Sequence, residues 1–184
     1  DEVYGFRKVG FNGGPSIIVP LGKQKKWSIS MEILFSMSGA YQKGGPIVQD
    51  TLPPDTTIPV SYNGYKLNLN YVSIPLMVHF TDKKIIAGGI GFAYNQLVSV
   101  KEWEDGIRQE QTTLSGPYTL ADFQVLADVR FRLWRNLWAN ARYSYSILPI
   151  RTREFENITG TKSWTRKQYN NVITLRLMWI FNDP

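Results

Sequence analysis

The chain contains no cysteine, which excludes disulfide bonds, thiolate metal sites and cysteine nucleophiles. Its one histidine, His79, is too few for a metal centre built from several imidazole ligands. His79 precedes a turn at Thr81 and Asp82 that offers no serine nucleophile elbow, so no Ser-His-Asp triad can be assigned. The sequence therefore predicts a protein that is not an enzyme and has no metal or cofactor.

Long apolar runs are also missing: no stretch of about 18 apolar residues occurs, which excludes a transmembrane helix. The formal charge is +6, yet the chain has no basic helix and no aromatic–basic motif, so we predict no nucleic-acid partner. Much of the lysine falls in short connectors, which is typical of solvated turns or of turns that face anionic headgroups. These lysines are Lys23, Lys25, Lys26, Lys83 and Lys84.

Alternating polarity is the strongest pattern that is present, and it is clearest at residues 122–131. One side of this segment is apolar: Phe123, Val125, Ala127, Val129 and Phe131. The other side is polar apart from Leu126: Asp122, Gln124, Asp128 and Arg130. Because successive strand side chains point to opposite faces, the segment is predicted to be a ribbon with one apolar and one charged face.

The same alternation recurs in seven segments, at residues 7–21, 27–41, 66–80, 85–98, 119–134, 137–147 and 169–181. Several exceed the roughly 9–11 residues that a tilted strand needs to cross a membrane. Four tryptophans near segment ends fit interfacial girdles: Trp27, Trp134, Trp138 and Trp179. We predict one domain over residues 1–184, an all-β, antiparallel, up-and-down transmembrane β-barrel, with a bulge near Tyr71.

Connector lengths alternate, as in outer-membrane barrels with short periplasmic turns and long outer loops. Residues 22–26, 81–84 and 135–136 are short; residues 42–64, 99–117 and 148–168 are long. The first and last segments then both descend, whereas bacterial barrels have even strand numbers. We expect eight strands, the first of them upstream of Asp1. The alternative splits the first segment into two strands at Asn12 and Gly13, a hairpin signal, but the halves are too short to span a membrane.

Several motifs carry a family resemblance. They are Gly10-Phe11-Asn12-Gly13-Gly14, the Glu32 to Ala40 strand, Asn70-Tyr71-Val72-Ser73-Ile74-Pro75-Leu76, Ala87 to Gly91, Ala141 to Tyr145 and Leu175 to Phe181. In this order they resemble the PorT-like outer-membrane β-barrel proteins of the Bacteroidetes. The resemblance implies location in the bacterial outer membrane and a link to type IX secretion. Family members usually begin with one more strand, in agreement with the strand count.

The charged face should line the lumen, and it supplies the candidate site residues. They are Glu32, Asp122, Asp128, Arg130, Arg142 and Arg176, with His79 and Arg132 nearby. The interior of an eight-stranded barrel is just wide enough to be filled by side chains, and buried charges must be paired. We expect Glu32 and Asp128 to be clamped by Arg130, Arg142 and Arg176. The glycines of residues 88–91 lack the lysine of a phosphate loop and are predicted to make room for bulky lumen neighbours.

The long loops hold the candidate partner-binding residues, which include prolines and aromatic anchors: Pro53, Pro54, Tyr62, Trp103, Phe155 and Trp164. Glu102, Glu104 and Asp105 are interpreted as a solvated loop tip, with calcium as the alternative.

The predicted function is a non-enzymatic outer-membrane barrel, structural or partner-binding. Its predicted partners are outer-membrane lipid or lipopolysaccharide and other outer-membrane or secretion-complex proteins. One alternative is a small solute channel, in which the arginine excess would favour anions. The other is a soluble lipocalin-like barrel for an apolar ligand, which needs the apolar face inside.

Overall fold

The computed structural model describes residues 8–42, 64–104, 106–109, 118–156 and 163–181. None of these residues forms a helix that could span a membrane. The strands are β1 (Asn12–Gly13), β2 (Ser16–Leu21), β3 (Trp27–Glu32), β4 (Leu34–Gln42), β5 (Tyr65–Asp82), β6 (Ile86–Glu104), β7 (Ile107–Gln109), β8 (Ala121–Trp134), β9 (Leu137–Ser146), β10 (Arg151–Glu156), β11 (Ser163–Gln168) and β12 (Asn171–Trp179).

The main sheet is an antiparallel meander in the order β1-β4-β5-β6-β8-β9-β12, with β2 paired to β3 and β3 paired to β5. Two of the predicted segments are interrupted, one between β1 and β2 and one between β3 and β4. Pro15 lies in the first gap, where it has no amide to donate, and its carbonyl accepts a hydrogen bond from the Ile33 amide at 3.0 Å. The two gaps therefore lie side by side, and the strands on either side continue the same ladder.

The alternation seen in the sequence separates the two faces of this sheet. Phe123, Ile173 and Trp179 are 47%, 54% and 60% exposed, whereas Arg130 is 4% exposed and points inward. An apolar exterior around a charged interior is the reverse of a soluble protein and is typical of a barrel whose outer face contacts lipid. The lipocalin-like alternative required the apolar face inside, and this arrangement contradicts it.

Three sequence predictions need correction. Residues 99–117 were expected to be a loop, but β6 runs to Glu104 and β7 spans Ile107–Gln109. Residues 148–168 were expected to be a loop, but they contain the hairpin of β10 and β11, in which Phe155 pairs with Trp164. Its sequence is charged along most of its length, so no alternation marked it as strand. Trp138 was expected in a girdle, but it is 6% exposed, and the Arg132 guanidinium lies 5.2 Å from its ring centroid.

The bulge predicted near Tyr71 is present, but on the neighbouring strand. Asn70 pairs with Ser99 and Tyr71 with Leu97, so the extra residue is Val98 of β6. Alternation along β5 is unbroken, and Leu67 and Leu69 point inward. Along the sequence the apolar residues switch from inward to outward positions near Tyr71, because the barrel interior itself changes there from apolar to polar. The apolar part is a cluster of Leu67, Leu69, Tyr71, Leu97, Val100, Tyr118 and Ile150.

Two glycines of β6 make room inside the barrel, as predicted. A Cβ on Gly89 would collide with the His79 ring, and one on Gly91 with the Leu76 carbonyl and Met77. Gly88 differs, because a Cβ there would have no neighbour within 4 Å. Only the inward glycines are therefore required by packing.

Within the described residues, β2 pairs only with β3 and β12 only with β9, so the sheet has two free edges. The edges approach each other near β1, where an Arg176 Nη1 donates to Asn12 Oδ1 at 3.4 Å. The eighth strand stays a prediction.

Replacing Val129 with arginine tests the outward face. Val129 lies mid-strand on the lipid side, where a guanidinium should cost about 2–4 kcal/mol of unfolding free energy. Leu133→Arg, on the same face near a short turn, should cost about 0–1 kcal/mol, because the penalty falls towards the interface. Urea unfolding in lipid vesicles measures both. Equal costs would contradict the assigned membrane depth.

Candidate functional site

Six charged or titratable side chains from five strands meet inside the barrel, and we call them the interior charge network. They are Glu32 of β3, His79 of β5, Asp128 and Arg130 of β8, Arg142 of β9 and Arg176 of β12. Five of them are at most 4% exposed, and the Arg176 side chain is 9% exposed. Each occupies an inward-facing position of its strand, so the alternation within single strands brings all six side chains into the interior.

Glu32 is the centre of the network. Arg142 donates from Nη1 to Oε2 at 2.9 Å and from Nη2 to Oε1 at 2.8 Å, a two-pronged ion pair. Arg176 Nη1 donates to Oε2 at 2.9 Å. In the sheet, β5, β6 and β8 lie between β3 and β9. The Glu32–Arg142 contact therefore crosses the interior instead of following the wall.

Asp128 is the second carboxylate of the network. Its Oδ2 accepts from Arg142 Nη2 at 3.0 Å, and its Oδ1 lies 3.0 Å from His79 Nε2. Arg130 Nη2 lies 3.4 Å from Glu32 Oε1 and 3.7 Å from Asp128 Oδ2. Three guanidinium groups thus surround two carboxylates, so each carboxylate charge is compensated away from water.

The structure also assembles a Ser-His-Asp arrangement that sequence proximity did not reveal. His79 Nδ1 lies 3.5 Å from Ser30 Oγ, while its Nε2 faces Asp128. No such triad could be assigned from the sequence, because the three residues come from three different strands. Ser30 is 0% exposed, and its hydroxyl also accepts a hydrogen bond from Arg130 at 3.3 Å. The serine hydroxyl is therefore closed off from solvent.

Asp122 stands apart from the interior charge network. Its Oδ2 accepts from Gln124 Nε2 at 2.7 Å and from Asn170 Nδ2 at 2.9 Å. Asn170 also donates to the Tyr71 hydroxyl at 3.2 Å. Asn170 was not predicted, because it precedes β12 and lies outside any alternating pattern.

A small cavity of about 30 Å³ lies beside the interior charge network and is lined largely by hydroxyl and amide groups. Its walls include Ser36, Ser73, Asn95, Gln124, Arg142 and Thr174. This volume holds one or two water molecules, and the polar lining can hydrogen-bond them. It is far too small for an organic solute.

A second buried cluster, the rim cluster, lies at the long-loop end and contains Glu102, Arg151, Tyr65 and Tyr118. Glu102 Oε1 accepts from the Tyr65 hydroxyl at 2.8 Å and from Arg151 Nη1 at 3.0 Å. Arg151 also donates to the Tyr118 hydroxyl and lies 4.7 Å from that ring's centroid. The solvated-loop interpretation is wrong for Glu102, which is 1% exposed on β6.

The rim cluster lies beyond the span that a membrane requires, because β5 and β6 have 18 and 19 residues. Burial is the main cause that raises the pKa of Tyr65 above its ordinary value, and the neighbouring Tyr118 and Glu102 add to it. Burial likewise raises the pKa of Tyr118. Both phenols therefore stay protonated and can donate hydrogen bonds.

The candidate partner-binding residues fall into two groups. Pro53, Pro54 and Tyr62 lie outside the described residues. Trp103 is half-buried, with Lys66 Nζ 5.1 Å from its ring centroid. Phe155 and Trp164 are register partners in the β10–β11 hairpin.

Backbone and side-chain contacts join the base of this hairpin to the barrel. The Thr119 amide donates to the Ile150 carbonyl and the Ile150 amide to the Gln168 carbonyl, both at 2.8 Å. Arg151, the first residue of β10, is held by Glu102.

An antiparallel barrel with an apolar exterior and ion-paired interior defines an integral outer-membrane protein. The sequence matches the family described as outer membrane protein beta-barrel domain over residues 2–151, and the chain belongs to this family. Membership places the protein in the bacterial outer membrane. No curated protein and no solved structure matches the chain.

Replacing Arg142 with methionine should cost about 3–5 kcal/mol of unfolding free energy, because Glu32 and Asp128 would lose a buried cationic partner. Arg108→Met, at an exposed position on β7, should change stability by about 0.5 kcal/mol or less. Urea unfolding in vesicles compares the two variants. A loss below about 1 kcal/mol for Arg142→Met would mean that the network does not hold the barrel together.

Proposed function

We propose that this protein is a closed, non-enzymatic barrel that anchors a partner-binding surface in the outer membrane. The observation that carries the proposal is the Glu32–Arg142 ion pair, which joins opposite walls of the barrel. A passing ion would have to displace these paired charges from each other. Towards the long loops, the interior is filled instead by the apolar cluster around Leu69 and Tyr71.

The Ser30–His79–Asp128 arrangement is the one observation that favours an enzyme, and its surroundings argue against that function. A nucleophilic serine needs a base that is free to take its proton and a substrate within reach. Here Ser30 and His79 are at most 1% exposed, and His79 is engaged by Asp128. These groups act as part of the packed interior.

Conductance across planar lipid bilayers tests whether the lumen is closed. The unaltered protein should give no steps, whereas a Glu32→Ala, Arg142→Ala, Arg176→Ala variant should conduct because its crossing contacts are gone. A Lys101→Ala variant, altered at an exposed position, serves as the control and should remain silent. Steady conductance by the unaltered protein would support the channel alternative and overturn the closed barrel.

The role that we propose for the barrel is to present its long-loop end to other proteins of a secretion or outer-membrane assembly complex. The PorT-like resemblance supports this role. So does the β10–β11 hairpin, which extends the chain beyond the main sheet on a base held by Arg151. Aromatic residues such as Phe155 and Trp164 are common anchors at interfaces.

Site-specific photocrosslinking in cells tests the hairpin. A benzoylphenylalanine at position 155 or 164 should form adducts with another protein. The same group at position 177, where Leu177 is 71% exposed on the lipid face, should not. Absence of protein adducts at both hairpin positions would contradict partner binding there. The conductance test of the closed lumen is independent of this result.

A further inference from the structure

The short-turn end of the barrel carries a concentration of positive charge, which we call the basic turn rim. Its members come from three separate turns, and all are exposed: Lys23, Lys25, Lys26, Lys83, Lys84 and Arg135. Among the described residues of these turns, Asp82 is the one carboxylate. The three turns join β2 to β3, β5 to β6 and β8 to β9, so the charge is distributed around the perimeter.

The backbone conformation at three of these positions is unfavourable for lysine. Lys83 and Lys84 have φ angles of 49° and 55°, and the Ile85 amide donates to the Asp82 carbonyl at 3.1 Å. Positive φ at both central residues is what a type I′ turn requires, and Asn-Gly is the preferred pair there. Lys25 has a φ of 50° as well. Three lysines thus occupy a region that side chains with a Cβ disfavour, which is the kind of local strain found at functional positions.

Tryptophans place the basic turn rim at a defined depth. Trp27 and Trp134 directly adjoin the turns, and Trp179 pairs with Leu137 beside the third turn. All three are exposed on the outer face, by 53%, 72% and 60%. Exposed tryptophans of a barrel lie at the membrane–water interface. Lys25, Lys26 and Arg135 lie one or two residues beyond these tryptophans, and Trp27 pairs with Phe80, which precedes Lys83 by three residues. The three turns therefore lie in the headgroup layer.

We propose that the basic turn rim binds the phosphate groups of anionic phospholipids in the periplasmic leaflet. Short turns face the periplasm in barrels of this class. Lipid is favoured over an acidic protein because the cations surround the perimeter at headgroup depth instead of forming one patch. Each lysine or arginine near an anionic surface contributes an attraction that salt weakens. This inference does not depend on the closed lumen or on the hairpin.

The test uses the complete protein in nanodiscs that contain a mixture of phosphatidylglycerol and phosphatidylcholine, with bound lipids identified by native mass spectrometry. The unaltered protein should retain phosphatidylglycerol preferentially, and less so at high salt. Replacing all six rim cations with glutamine should lower the preference at least about fivefold. A charge-conserving variant, with the five lysines changed to arginine and Arg135 to lysine, should keep it.

A second variant separates strain from charge. Lys83→Asn with Lys84→Gly supplies the preferred pair for this turn, so its denaturation midpoint should rise while its preference for phosphatidylglycerol falls. Heat-modifiable gel mobility verifies that each variant is folded. The proposal is overturned if the unaltered protein does not distinguish the two lipids. It is equally overturned if the glutamine variant keeps the original preference, which would leave an acidic protein as the partner of these turns.

Discussion

The ion pair between Glu32 and Arg142 is the contact on which the architecture depends. It joins β3 to β9 across three intervening strands, so it can form only when the sheet curls until its inward faces meet. Away from water, either charge alone would be very costly, and their desolvation is offset only by close geometry and further hydrogen bonds. Arg176, Arg130 and Asp128 supply those additional partners.

The need to pair buried charges also distinguishes two parts of the barrel interior, one charged and one mainly apolar. Near the short turns the inward positions are charged and must be mutually paired. Towards the long loops most of them become leucine, valine and tyrosine, which pack against one another, and the rim cluster adds the buried Glu102–Arg151 ion pair. The two solutions meet at Tyr71, whose side chain packs in the apolar cluster while its hydroxyl accepts a hydrogen bond from Asn170.

Local alternation predicted the strands and the inward parity of Glu32, Asp128 and Arg142, because period two is a property of each strand by itself. The expected clamp of Glu32 and Asp128 by arginines is confirmed. The meeting of Ser30, His79 and Asp128 was not predicted, since they are far apart in sequence and come together only through sheet curvature. The charged β10–β11 hairpin has no alternation to detect. Glu102 was misassigned because the strand pairing of β6 extends well past the predicted end at residue 98.

Burial of the interior charge network restricts which groups of this barrel are accessible. The Ser30, His79 and Asp128 side chains are the groups of a hydrolase, but they are buried inside an ion-paired core, which is why we propose that they act in packing. What remains accessible is the apolar belt and the two ends. The two ends differ in construction: one is extended by a hairpin tied down by Arg151, and the other consists of tight turns in which lysine occupies strained backbone. Strain is retained in a fold only where something outweighs it, and at these turns the candidate is positive charge at headgroup depth.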